Sequence, residues 1–201
     1  MSFAIHDHPL LAILACLSFV ALPVLYGWVW WRPAQFRRVI GNRDPCQSIA
    51  LAVHAVKVVQ ACLLLPLINW TSAYELSLSA WLLGGALVVA GQTLNARVYQ
   101  LLGHDGVYYG ARFGRNIPWV TAWPYSQIRD PQYIGCILTV LGAGVTLLPS
   151  DVSDGCELWE NVQLLPHVHC ALPLVQLAAF WCGVYVLNMW IEGQPPAPEA
   201  A

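Results

Sequence analysis

Charge is scarce in this chain. Nine Lys or Arg and eleven Asp or Glu make up 10% of its 201 residues, where soluble domains carry about 25%. There is no basic or acidic tail, so nothing in the sequence supports nucleic-acid binding. None of the seven cysteines forms a C-x-x-C pair, and none of the six histidines falls in an H-E-x-x-H spacing. No metal site or disulfide framework is therefore expected. Cys16, Cys62, Cys136, Cys170 and Cys182 lie inside apolar runs and read as small buried hydrophobes. Internal repeats and low-complexity segments are also missing. Residues 1–8 hold no Lys or Arg, and the apolar run after them is too long for a signal peptide, so it is expected to remain as a membrane span.

What the chain does have is apolar length. It is 58% hydrophobic with ten tryptophans, the composition of an integral membrane protein. A helix needs about 20 apolar residues to cross the hydrocarbon core, and five segments reach or approach that length. They are Pro9 to Trp31, Ser48 to Trp70, Leu76 to Arg97, the shorter Tyr133 to Pro149, and Leu165 to Ile191, whose Pro166 and Pro173 suggest a kinked or late start. The expected fold is an all-α membrane protein of about five transmembrane helices, one domain over residues 1–193, with a Pro/Ala-rich disordered tail at 194–201.

Eight of the nine basic residues fall in two alternate loops, one holding Arg32, Arg37, Arg38 and Arg43, the other Arg97, Arg112, Arg115 and Arg129. The intervening loops have no basic residue, and the one at 150–163 holds Asp151, Asp154, Glu157 and Glu160. The positive-inside rule puts the arginine loops in the cytosol, the N-terminus on the lumenal side and the C-terminus in the cytosol. Asn69-Trp70-Thr71 is then a lumenal glycosylation sequon, too close to the membrane to be used. The ninth basic residue, Lys57, sits inside the second span with His54 and Gln60 at helical spacing. This set reads either as a polar face lining a cleft or as a lysine snorkelling to the interface.

The polar chemistry concentrates between Gly91 and Gly135, where glycines alternate with arginines and aromatics. Leu94-Asn95-x-Arg97-Val98-Tyr99-Gln100-Leu101-Leu102-Gly103, Tyr108-Tyr109-Gly110-x-Arg112-Phe113-Gly114, Asn116-Ile117-Pro118-Trp119-Val120-Thr121 and Asp130-Pro131-Gln132-Tyr133, with Gly41-Asn42-Arg43-Asp44-Pro45 upstream, resemble the phospholipid N-methyltransferases, the plant-type phosphatidyl-N-methylethanolamine enzymes most of all. The resemblance runs over about residues 41–136 and the end of the last span. It implies a multi-span enzyme of the endoplasmic reticulum membrane that uses S-adenosylmethionine to methylate phosphatidyl-N-methylethanolamine and phosphatidyl-N,N-dimethylethanolamine to phosphatidylcholine. It also implies a cofactor site of two short elements. One is a Gly-x-Gly, read here as Val89-Ala90-Gly91 with its first glycine replaced; the other is an acidic pair, read here as Glu192-Gly193 with one acid left.

The residues admit more than one role. Small side chains at Ala90 and Gly91 suit either a cofactor lying against the helix or close helix packing with Gly84 and Gly85. Glu192 can accept hydrogen bonds from a ribose or an amino group, or be an interfacial charge. Arg112 and Arg115 can hold a lipid phosphate or only attract the anionic membrane surface. Tyr108, Tyr109, Trp119 and Trp123 suit an ammonium cage or an aromatic belt. Tyr133, one turn into its span, can face the cofactor. His104 and Asp105 can accept a proton, but Gly103-His104-Asp105-Gly106 is also simply a turn, and no general base is assigned. Asp130-Pro131 reads as the cap and first residue of the fourth span. The remaining functional alternatives are methylation of unmethylated phosphatidylethanolamine, carboxyl methylation of a prenylated cysteine, and a non-enzymatic membrane carrier or scaffold.

Overall fold

A computed structural model of the chain describes residues 9–65, 78–147 and 172–194. The Asn69 sequon, the acidic loop, His167, His169, Cys170 and the tail after Gln194 lie outside the described residues. Every described element is helical: α1 (Pro9–Trp31), α2 (Pro33–Ile40), α3 (Pro45–Leu64), α4 (Leu78–Val107), a 3₁₀ turn (Gly110–Phe113), α5 (Pro131–Leu147) and α6 (Leu172–Gly193). Stretches of α1, α3 and α4 are long and apolar enough to cross a membrane, and α5 is a shorter apolar helix. At 1.5 Å per residue, the 23 residues of α1 and the 22 of α6 reach about 33–35 Å, enough for a hydrocarbon core of about 30 Å. Large apolar side chains such as Leu17, Val24, Leu51, Val58, Leu82, Val89 and Leu187 point outward, as a lipid-facing surface requires.

Proline sets the helix starts. α2, α3 and α5 each begin on one, at Pro33, Pro45 and Pro131, where the missing N–H has no helical partner to lose. Ile134 N–H donates to the Asp130 carbonyl at 3.2 Å, so Asp130-Pro131 opens α5 as expected. The same device opens α3: the Asp44 carboxylate accepts from Gln47 N–H at 2.9 Å. This moves the start of α3 to Pro45, three residues before the expected Ser48.

Two segments read as loop are helical. α2 is an amphipathic helix of eight residues, just over two turns. Phe36 and Pro33 are buried beneath it, and Arg37 and Arg38 lie in its last turn, where cations suit the helix dipole. Eight residues with a charge pair are too short to register as a span. α4 runs past Arg97 to Val107, because Leu94, Val98 and Leu102 continue one stripe at four-residue spacing and pack inward. A helix does not end where the membrane does. α4 bends at Gly103, whose φ of 65° and ψ of −179° are open to glycine and to little else.

α4 and α5 form the closest pairing in the structure. A Cβ on Gly91 would run into the Gly135 carbonyl and Thr139, with the Thr139 nitrogen 2.9 Å away. A Cβ on Gly84 would collide with Thr146 and the Gly142 carbonyl, and the same holds in reverse for Gly135 and Gly142. Both glycine pairs are seven residues apart, two helical turns, so they face the partner at two levels. Lipid offers no hydrophobic force between helices, and such small residues let backbones meet and gain dispersion instead. Gln92 Nε2 donates to Thr139 Oγ1 at 3.0 Å across the same seam. On the other side, α1 packs against α3 and α6. There Leu22, Val29, Phe36, Ile49, Val53 and Val98 form a buried cluster, and Phe19 stacks on Trp181 at 4.5 Å.

Replacing either Gly84 or Gly91 with Leu should therefore push α4 off α5, at about 1–3 kcal/mol of overpacking each. Both variants should insert but melt at lower temperature in detergent, to a similar degree. A Gly91→Leu variant as stable as the parent would show that this seam does not hold the helices together.

Candidate active site

One end of the bundle encloses a cavity of about 280 Å³. It lies between the last turns of α1, the bend and 3₁₀ turn after α4, the first turn of α5 and the last turn of α6. Its size is near the lower end of small-molecule sites, about 300–1,000 Å³. At its centre is Glu192. The carboxylate accepts a hydrogen bond from the Tyr109 hydroxyl at 2.5 Å and another from the Tyr133 hydroxyl, and the two hydroxyls are 3.5 Å apart. Three segments far apart in sequence therefore meet at one acid. With hydroxyls from two other segments donating to it, Glu192 ties α6 to α5 and the turn.

Tyr109 reaches Glu192 because its backbone is left-handed, with φ 59° and ψ 29°. It is the one non-glycine residue with positive φ among the described residues. Such a conformation costs on the order of 1–3 kcal/mol and persists only where the surroundings over-determine it. Here the ring is held on two sides, by Tyr26 at 5.5 Å and Trp30 at 6.1 Å between centroids. Tyr133 and Tyr185 pack at 6.2 Å and continue the aromatic wall. Arg112 lies across the opening. It donates to the Trp30 carbonyl at 2.8 Å, and its guanidinium carbon is 5.3 Å from the Trp30 ring centroid. Its Nε–H is buried without a hydrogen-bond partner among the described residues. Asp130 also lines the cavity, and burial pushes its carboxyl above the ordinary range, opposed by Arg129.

The structure sorts the expected site residues. Tyr133, Glu192 and Arg112 come together in the cavity wall. Gly193 stands beside it, close to the Arg129 guanidinium. Val89 and Ala90 lie on the outer surface of α4, and Gly91 faces α5 rather than the cavity. Gly91 bears on the site from behind, since its contact with Gly135 sets the helix that carries Tyr133. Of the four aromatics considered for a cage, only Tyr109 lines the cavity. Tyr108 is buried in the core with its hydroxyl 2.7 Å from that of Tyr99, and Trp119 and Trp123 are exposed. Tyr26, Trp30 and Tyr185 were legible only as span aromatics, and no local signal marks them as lining residues.

Arg115 has a different task from Arg112. Its guanidinium pairs with both Asp44 and Asp105, tying the cap of α3 to the turn after the α4 bend. With two carboxylates in place it has little left to offer a phosphate. Asp105 is likewise engaged, and His104 sits 3.5 Å from it outside the cavity wall. The Gln47 N–H, followed by Arg115, holds the Asp44 carboxyl below its ordinary value. A lowered folded value means that the contribution to stability is fully present above the unfolded value near 4 and is lost as pH falls through the folded one. The melting temperature should fall below about pH 4. Asp44→Asn should start lower at neutral pH and lose part of that acid dependence. An unchanged melting profile in the variant would remove Asp44 from the clamp.

Comparison with known proteins gives this geometry its context. The sequence model of the family described as "Phospholipid methyltransferase" matches residues 79–149, which include α4, the turn and α5. The chain is 40% identical to phosphatidyl-N-methylethanolamine N-methyltransferase of Arabidopsis thaliana over 132 residues, 65% of this chain and 77% of that protein. No solved structure matches it significantly. An α-helical membrane bundle that gathers two acids, two arginines and six aromatic side chains around one cavity, with this degree of identity, belongs to the phospholipid methyltransferase family.

Proposed function

We propose that this enzyme methylates the amine nitrogen of phosphatidyl-N-methylethanolamine and phosphatidyl-N,N-dimethylethanolamine, forming phosphatidylcholine, with S-adenosylmethionine as donor, in the endoplasmic reticulum membrane. The methyltransferase activity follows from the family; the lipid, the donor and the compartment are the proposal. The observation that carries it is the Glu192–Tyr109–Tyr133 cluster inside an aromatic cavity. When bound, S-adenosylmethionine supplies a methyl group on a positively charged sulfur, together with a carboxylate, an ammonium and ribose hydroxyls. The residues present fit such a group. The orphaned Arg112 Nε–H is a donor suited to a carboxylate. Glu192 suits an ammonium or a ribose hydroxyl. The faces of Tyr26, Trp30, Tyr109 and Tyr185 attract cations, at about 0.5–2 kcal/mol each.

Methyl transfer to an amine asks for a neutral nitrogen, alignment and a site without water. The chain's contribution is mostly positioning and exclusion of solvent. The aromatic wall makes most of the cavity surface apolar. Asp130, outside the span and with its carboxyl pushed up by burial, is the acid in the wall best suited to take the ammonium proton at a carboxylate oxygen. With the arginine loops cytosolic, this end of the bundle faces the cytosol. A soluble donor and a membrane lipid then reach one site from two phases.

The test uses cells that lack phospholipid methyltransferases. Microsomes carrying this chain, given labelled S-adenosylmethionine and phosphatidyl-N-methylethanolamine, should yield labelled phosphatidyl-N,N-dimethylethanolamine and phosphatidylcholine. A cysteine placed at Ser126 should escape a membrane-impermeant reagent confined to the lumen. Label on protein carboxyl groups instead of lipid amines would overturn the reading. Glu192→Gln should raise the apparent constant for S-adenosylmethionine about tenfold or more, leaving that for the lipid nearly unchanged. If neither constant moves, Glu192 has no part in holding the donor.

A further inference from the structure

A second cavity, about 490 Å³, lies between α3, α4, α5 and α6 on the membrane side of the first. The two share four lining residues, Lys57, Gln132, Cys136 and Tyr185. Leu64, Leu65, Val140 and Trp181 give the second cavity an apolar side, and Gln92, Asn95 and Thr139 a polar one. This mixture fits the head and upper chains of a phospholipid better than it fits a water-soluble cofactor.

Lys57 is the only lysine in the chain. It lies twelve residues past Pro45, about 18 Å along α3, where a charge is expensive and retained for function. Its helical neighbours in the polar set are spoken for. His54 Nδ1 lies 2.6 Å from the Ala50 carbonyl, and Gln60 Nε2 donates to the Ser18 carbonyl at 3.1 Å from a buried position. Lys57 is accessible and has no ion pair among the described residues. Side chains on a helix lean toward its N-terminus, which directs Lys57 from the membrane interior toward the first cavity. Arg115 is consumed by two carboxylates, and Arg112 and Arg129 line the first cavity alone, so Lys57 is the cation at the shared wall.

We propose that Lys57 binds the phosphodiester of the acceptor lipid in the second cavity, so that the amine, two carbons away, passes the shared wall into the first. This deepens the functional reading above and rests on it. A phosphodiester carries one negative charge at any physiological pH, and the ammonium of Lys57 answers it. The same positive charge disfavours a protonated substrate amine nearby, which helps the nitrogen reach the neutral form that methylation needs. Lys57 is thus a positioning residue, acting through phosphate and field and not on the transferred methyl.

The test is equilibrium binding by the full chain in nanodiscs. Phosphatidyl-N-methylethanolamine and its phosphotriester, made uncharged at the phosphate by methylating its oxygen, compete against a photoactivatable phosphatidylcholine. The unaltered chain should prefer the anionic diester by about tenfold or more, the worth of one charge-assisted contact. Lys57→Met should bind the two equally, and Lys57→Arg should keep the preference. Lys57→Gln provides a second neutral variant should Lys57→Met not insert. The proposal is overturned if the unaltered chain shows no preference, or if a folded neutral variant retains it. The binding result stands whether or not methyl transfer is detected, so failure of the site and failure of the activity remain distinguishable.

Discussion

The backbone contact between α4 and α5 is the constraint on which the rest of the structure depends. Gly84 against Gly142 and Gly91 against Gly135 leave no room for side chains, and this closeness fixes where α5 begins and which way its first turns look. Asp130, Tyr133 and Cys136 all ride on those turns. Tyr133 then meets Glu192 from α6 and Tyr109 from beyond the α4 bend. The site is the point where three strongly held elements converge, and a looser seam would blur it even if every lining residue were kept.

The spans were legible because apolar length is a coarse signal that survives poor boundaries. The expected Pro9–Trp31 matches α1 to the residue, while α3 starts three residues earlier and α4 ends ten residues later than expected. The Asp44-Pro45 start repeats the Asp130-Pro131 pattern and was available to the same argument. Apolar length ends the third span near Arg97, but the helix of α4 continues to Val107. Seven-residue glycine spacing on both helices was present in the sequence, but which helices face one another is a tertiary fact. The cavity wall was legible only in part. Tyr133, Glu192 and Arg112 carry local signals, whereas Tyr26, Trp30 and Tyr185 look like any aromatic in a span until the bundle closes around them.

The cations illustrate a division of labour that composition conceals. Arg115 is an internal strut between Asp44 and Asp105, Arg112 leans on Trp30, and Arg37 and Arg38 ride the last turn of α2. A guanidinium with its planar fork suits the first two tasks, where geometry matters. Lys57 carries a compact charge on a flexible stem, which suits a place where the partner is a guest.

The left-handed backbone at Tyr109 limits how far this protein can be stabilised without harm. Glycine at 109 would relieve the backbone strain, but it would delete a ring that packs on Tyr26 and Trp30 and a hydroxyl that grips Glu192. Selection or design for thermal robustness alone would be drawn to such a position, since relieving strain is among the commonest stabilising changes. The cost would be felt first in the ordering of the cavity and only later in the fold.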